Sequence, residues 1–334
     1  ISITIESLLR KFPADSIIIA SNGSTDDTIA IAKSYDVQVM DIPTAVGKVE
    51  AINQALYMVT TPYVLIMDDD TLLGDAIVPT NALDEGYKGV AFRVLPVIEG
   101  MLSQIQMHEY RKSMDIARSF HNSSGTVQSI SGAIGLFYTK ELQRQITLHT
   151  GEFAGEDLQR TLLIHLESED KGVVIADSLV YTYVPRTFKD LFKQRVFGWN
   201  PGFYTNLGIF SKLLFKRHVP FKMRVEAFYS IFIICAMDPF RLVSLPILLF
   251  SPTYMLVFYF TYVMLETIPY CILGRKEPYW IILVSPMYGL FNFIARILAT
   301  IVFFFRRISV TLSKTDKYDH YRRTAFFPRF VSFS

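Results

Sequence analysis

Three stretches in the last third of the chain, residues 227–250, 254–273 and 279–305, are almost wholly apolar and aromatic. Each reaches the ~20 residues that a helix needs to cross the hydrocarbon core of a bilayer. Helices buried in a soluble core keep a polar face, which these stretches lack. Composition points the same way, since 51% of the 334 residues are hydrophobic and 14% aromatic. That content excludes a disordered tail, and a net charge of only +2 removes the signature of a nucleic-acid binder. The two cysteines, Cys235 and Cys271, both lie in apolar text and read as small hydrophobes rather than a disulfide or metal framework. The chain opens at Ile1 with neither a methionine nor a signal-peptide pattern, and reads as a fragment.

Before residue 225 the text is different. Apolar, β-branched runs at 16–20 (SIIIA), 37–40 and 63–67 (YVLIM) alternate with helix-like patterns at 28–35 and 48–58. Short strands separated by helices predict βαβ crossovers and a mostly parallel α/β sheet. No internal repeat interrupts this order.

Asp68, Asp69 and Asp70 directly follow the 63–67 run. Ligands of open α/β sheets bind beyond the carboxyl ends of the strands, where such a cluster meets substrate. Carboxylates at i and i+2 suit Mg²⁺ or Mn²⁺, hard cations commonly shared with substrate phosphates. Taken alone, the triplet reads first as a solvated acidic turn. The turn 21–28 (SNGSTDDT) closes the first strand and caps a helix. It lacks GxGxxG, and Gly47-Lys48 lacks the rest of a phosphate loop, so neither a dinucleotide fold nor an NTPase is supported.

In order along the chain stand SNGSTDDT, GKVEAIN, DDDT, SGAIGLF, GEDLQRT and KQRVFGWNPG, the last just ahead of the apolar stretches. This series resembles the family 2 inverting glycosyltransferases, in particular the membrane-integrated branch of cellulose, chitin and hyaluronan synthases and related glycolipid glucosyltransferases. The resemblance implies a GT-A (Rossmann-like) catalytic domain over 1–186, amphipathic interface helices over 187–225, membrane helices over 226–310 and a basic tail over 311–334. It also implies a UDP-sugar donor, a glycan or lipid acceptor, a divalent ion and a cytosolic catalytic domain in an integral membrane protein.

Residue by residue, Asp68 and Asp70 match the family's DxD, the first touching the nucleotide sugar and the second helping to hold Mg²⁺ or Mn²⁺. Lys48 matches the lysine of GKxxAxN near the nucleotide. Asp157, in GED, matches the general base that deprotonates the acceptor hydroxyl, a role that needs a carboxylate on the face opposite the leaving group. Gln194, Arg195 and Trp199 resemble QxxRW, which closes the acceptor site and touches the diphosphate. Here Gly198 replaces the usual arginine and Gln194 stands one residue too far from Trp199. Trp199 also suits an interfacial anchor. Ser21 and Asn22 stand where many relatives carry aspartates, which makes Asn22 the nucleotide-contact candidate of that turn. The family's first strand has no counterpart ahead of TIESLL. A polymer synthase, a single-transfer glycolipid enzyme and an inactive membrane scaffold all remain compatible with the sequence.

Charge sets the expected topology. With the catalytic domain cytosolic, the first two apolar stretches leave and return, and the connector Gly274-Arg275-Lys276 is basic, as an inside loop should be. A third full crossing would put Arg306, Arg307, Lys314, Lys317, Arg322 and Arg323 outside. Pro286, Asn292 and Arg296 interrupt the third stretch, and a bent, re-entrant or interfacial segment is therefore expected.

Overall fold

The computed structural model describes residues 1–150, 155–168 and 171–312. Its first part runs α1 Ser2–Leu9, β1 Ile18–Asn22, α2 Thr28–Lys33, β2 Gln38–Ile42, α3 Lys48–Leu56, β3 Tyr63–Met67, β4 Thr71–Leu72, α4 Thr80–Asp84 and β5 Gly89–Pro96. There follow α5 Met101–Arg111, a π-helical turn Lys112–Ala117, α6 Arg118–Ser124, β6 Ile134–Tyr138, α7 Thr139–Leu148, α8 Glu156–Glu167 and β7 Val173–Thr182. Next come α9 Phe188–Lys193, a second π turn Gln194–Trp199, α10 Asn200–Thr205 and α11 Leu207–Phe215. The apolar region holds α12 Phe221–Phe232, a third π turn Ile233–Met237, α13 Asp238–Phe250, α14 Pro252–Ile272 and α15 Trp280–Leu312.

The expected strands and helices form, but the sheet is mixed rather than mostly parallel. β1 and β2 pair in parallel as a separate ribbon, and the larger sheet has the order β3-β6-β5-β7-β4. Only β5 and β7 run parallel there; β6 is antiparallel to both β3 and β5, and β4 to β7. The cause is the long excursion through α5 and α6, which brings β6 back between β3 and β5 from the opposite end. An apolar run carries no mark of its direction, because side chains alternate in the same way in both ladders.

β5 divides the core. Val90, Phe92 and Val94 pack with Leu73, Leu83, Ile134 and Leu136, while Ala91 packs with Leu56, Phe137, Leu142 and Ile164. Burial of a side chain such as Phe92 or Leu136 stabilises the sheet by ~1.5–3 kcal/mol. The antiparallel register sets Met67 opposite Ile134, so the chain leaving β3 lies beside the one entering β6. The Asp68 N–H accordingly donates to the Ala133 carbonyl at 2.9 Å. This pairing brings DDDT and SGAIGLF to one edge.

Three helical stretches, Phe221–Ile247, Pro252–Ile272 and Trp280–Phe305, are long and apolar enough to cross a membrane. Phe240, Val243, Phe250, Val257, Phe260 and Met264 expose apolar surface of a kind that soluble monomers rarely show. Cys235 and Cys271 are exposed and unbridged.

The third stretch is not interrupted. α15 is one helix of 33 residues with Pro286 inside it, ~50 Å long at 1.5 Å per residue, which rules out a re-entrant turn. Arg296 is tolerated because Asp238 of α13 neutralises it, Nη2 to Oδ2 at 2.8 Å, and Asn200 accepts from it at 3.3 Å. Along its length α15 leans on the rest of the chain. Tyr288 donates to Glu109 at 2.7 Å, Ala295 and Ala299 pack on Val196, and Thr300 meets Tyr204 at 2.5 Å. The side chains of Arg306 and Arg307, and the whole of Lys314, Lys317, Arg322 and Arg323, lie outside the described residues.

Candidate active site

Glycine at 47 opens α3, so Lys48 stands in its first turn and reaches across to β3. Lys48 Nζ lies 2.7 Å from Asp68 Oδ1, 3.0 Å from Glu156 Oε1 and 3.3 Å from the Gly132 carbonyl. Three segments far apart in sequence therefore meet on one ammonium. Burial alone would lower the pKa of Lys48, but the two carboxylates override it and hold the ammonium well above its ordinary range.

Glu156 and Asp157 form the first turn of α8, where the helix dipole favours negative charge. Burial would raise Glu156, yet Lys48 on one side and Arg160 on the other, at 2.7 Å, keep it below the usual carboxylate range. Asp157 is different. Its Oδ2 accepts from the Gly132 N–H at 3.0 Å and its Oδ1 from the Leu158 N–H at 2.8 Å, and no cation sits within ion-pair distance among the described residues. Burial, followed by the charge on Glu156, pushes its pKa up. Two adjacent carboxylates thus have opposite environments, one held ionised by cations and one poised to take a proton.

Gly132 sits at the centre of this cluster. A Cβ there would meet Lys48 Nζ at 3.3 Å and the Asp157 and Glu156 carboxylates at 3.6 Å. Thr161 ties the segment to α8, accepting from the Ile130 N–H at 2.8 Å and donating to the Asp157 carbonyl at 2.9 Å. SGAIGLF was legible as a landmark, but the sequence assigned none of its residues to the site.

Asp69 turns its carbonyl to Thr4 Oγ1 at 2.5 Å, while Asp70 accepts from Thr182 Oγ1 at 3.2 Å. Although open to solvent, Asp70 is raised to about 6, first by partial desolvation and then by the charges on Asp68 and Asp69. Among the described residues no three His, Cys, Asp or Glu side chains gather closely enough to hold an ion alone. Two crowded carboxylates do fit an ion that takes its remaining ligands from water and phosphate, as Mg²⁺ does.

Asn22 ends β1, and its Oδ1 accepts from the Val46 N–H at 2.8 Å. It therefore clamps the loop that delivers Lys48. The extra residue between Gln194 and Trp199 is absorbed by the π turn Gln194–Trp199, since a π turn closes on i+5 instead of i+4. Trp199 is 43% exposed, with its ring 6.1 Å from that of Tyr110. Arg195 does not reach into the cleft as a free cation. Its Nη2 is 2.6 Å from Glu109 and 3.3 Å from the Tyr288 hydroxyl, and the guanidinium stacks on Trp199 at 3.7 Å. Gln194 has a buried Oε1 without a hydrogen-bond partner among the described residues. A cavity of about 500 Å³ opens beyond Asn200, between α10, α12 and α15, lined among others by Gln128, Glu226, Tyr229, Asn292 and Arg296.

Comparison with known proteins gives two overlapping family matches, glycosyl transferase family 2 over residues 1–119 and glycosyl transferase family group 2 over residues 63–265. The chain is similar to the poly-beta-1,6-N-acetyl-D-glucosamine synthase of Staphylococcus epidermidis strain RP62A, 28% identical over 205 residues, covering 58% of this chain and 49% of that protein. It is similar also to the synthase of the same name from Staphylococcus aureus strain COL, 27% identical over 237 residues, covering 67% of this chain and 56% of the relative. The chain thus spans about half the length of the curated relatives it matches.

Proposed function

Because the chain belongs to glycosyl transferase family group 2, we propose that it transfers a sugar from a UDP-sugar to a hydroxyl of a glycan or lipid acceptor, with inversion at the anomeric carbon. One observation carries this reading: Lys48, Asp68, Gly132, Glu156 and Asp157, drawn from four separate motifs, converge on one cleft edge.

Asp157 takes the proton of the attacking hydroxyl. Its two backbone N–H contacts fix the carboxylate plane, and its raised pKa makes it a stronger base than an exposed aspartate. Lys48 compensates the charge of Glu156 beside it, so the proton goes to Asp157. Asp68 and Asp70 would hold Mg²⁺ or Mn²⁺, which when bound neutralises the departing diphosphate. Asn22 holds the Lys48 loop in place, and Trp199, partly exposed and backed by Arg195, offers aromatic surface to a sugar. The cavity beyond Asn200 is the acceptor's place, since amide and charged side chains mixed with aromatic rings suit a carbohydrate.

The catalytic part faces the cytosol, where nucleotide sugars are found. The connector between α14 and α15 supports a common side for both, because its Glu277 binds Arg111 of α5 at 2.6 Å. α15, leaning on α5, the second π turn and α10, runs along the interface. Because the similar staphylococcal proteins are poly-beta-1,6-N-acetyl-D-glucosamine synthases, UDP-N-acetylglucosamine is the first donor to test. Membranes containing the full protein, given labelled donor and Mg²⁺ or Mn²⁺, should yield a labelled product lost in Asp157→Asn, and its size on a gel separates polymer from single transfer. No turnover with any UDP-sugar would sink the reading in favour of a scaffold.

A further inference from the structure

We propose that the corner joining α11 to α12 is a seat for the headgroups of anionic lipids, anchoring the first apolar stretch where it meets the bilayer surface. Five cations gather there. Lys212, Lys216, Arg217 and Lys222 are exposed, and Arg224 lies over the Phe221 ring, 5.8 Å from its centroid. The carboxylates next to this corner turn elsewhere: Glu226 faces Gln128 at 3.2 Å and His121 at 3.7 Å, and Glu167 is taken by Arg144. Lys212, Lys216 and Arg217 line, with Ser211 and Phe215, an open hollow of about 530 Å³.

The corner is held in shape. Val219 is buried in the cluster of Leu162, Phe210 and Met223, and His218 Nε2 lies 2.7 Å from the Leu166 carbonyl at the end of α8. The cations are therefore presented by a fixed turn.

Length places that turn at the membrane surface. The helical stretch Phe221–Ile247 has 27 residues, ~40 Å at 1.5 Å per residue. A bilayer is ~30 Å thick across its hydrocarbon and ~40–45 Å with its headgroups, so this stretch reaches from one headgroup layer to the other. Exposure agrees. Phe221, Val225, Phe228 and Phe232 share one helix face and are all exposed, while Met223 and Ala227 on the opposite face are buried. The uncovered apolar stripe thus runs down to Phe221, and Phe215, 81% exposed, continues it past the corner. A soluble polyanion would satisfy the cations but leave both rings in water. A layer of anionic headgroups over acyl chains satisfies the rings and the charges together.

The test uses Phe215→Trp in the full protein, reconstituted in equimolar phosphatidylcholine and phosphatidylglycerol with one or the other lipid brominated. The signal is the fluorescence gained over wild type. Brominated phosphatidylglycerol should quench it more strongly, by a local enrichment of about fivefold or more, the attraction that one cation contributes at a membrane surface. With Lys212→Gln, Lys216→Gln and Arg217→Gln added, the preference should fall to about parity while quenching by brominated phosphatidylcholine persists. Equal quenching by both lipids without those changes would show a corner that meets the bilayer but selects no headgroup, and quenching by neither would place it away from the bilayer. Either result overturns the proposal, as does a preference that survives loss of the three cations. No donor sugar enters the measurement, so its outcome is independent of the transferase reading.

Discussion

Gly155 and Gly202 meet backbone to backbone: a Cβ on Gly155 would stand 2.5 Å from the Gly202 Cα. Asn206 closes the contact, donating to the carbonyls of Gly155 at 3.2 Å and Gly202 at 2.8 Å. The start of the base helix α8 is thereby seated on the short helix that follows Trp199. Gly155 also has φ +73°, a conformation that costs other residues ~1–2 kcal/mol. Gly155→Ala should lower thermal stability in detergent by more than that strain alone and reduce transfer more than donor binding. A fully active, equally stable variant would mean that this seat has no role.

Asp157→Asn should cut the transfer rate by ~10²-fold or more, the usual worth of general-base catalysis, while UDP affinity stays near the wild-type value. The sign of its pH dependence follows from its raised pKa. A carboxyl that keeps its proton to higher pH loses its base form earlier on acidification. The acid limb of kcat should therefore lie above the ordinary aspartate value of ~3.9 and disappear in the variant's residual rate.

Asp70→Ala should abolish metal-dependent UDP-sugar binding, whereas Asp69→Ala should weaken it much less. Asp69 is engaged through its carbonyl, while the Asp70 carboxylate is held by Thr182 and crowded by its neighbours. Titration of Mn²⁺ in the presence of UDP measures this directly, and equal losses would show that the triplet has been read in the wrong register.

Asp238 is 1% exposed and binds Arg296 from α15, with the Tyr204 hydroxyl also donating to it at 2.8 Å. Arg241 also pairs with Asp238, so removing Arg296 leaves the carboxylate one cation, whereas removing Asp238 leaves two arginines without their counter-ion. Arg296→Met should therefore cost less than the ~3–5 kcal/mol of a fully unpaired buried charge, Asp238→Leu should cost more than Arg296→Met, and the double variant should lose less than the sum of the two. Additive damage in thermal unfolding would argue that the two charges do not act as a pair.

If α15 lies along the membrane interface, a cysteine near Lys314 should be labelled from the cytosolic side of sealed vesicles. Labelling from the far side alone would make α15 an ordinary third crossing.

Residue chemistry and segment hydropathy were legible from the start. DDD after an apolar run, GED at a helix start and three long apolar stretches each announce themselves within a few neighbouring residues, because charge and hydropathy are local properties. Strand direction was not legible, since period-two alternation is the same in parallel and antiparallel ladders, and only the return of β6 made the sheet mixed. The extra residue before Trp199 looked like a damaged motif, and a π turn absorbed it. Arg296 looked like an interruption until Asp238, 58 positions away, proved to be its counter-ion. The sequence could not say that Arg195 is already committed, because its counter-ion Glu109 stands 86 positions away. Glu109 of α5 reaches Arg195 across the fold at 2.6 Å, and such pairing is decided by tertiary packing alone.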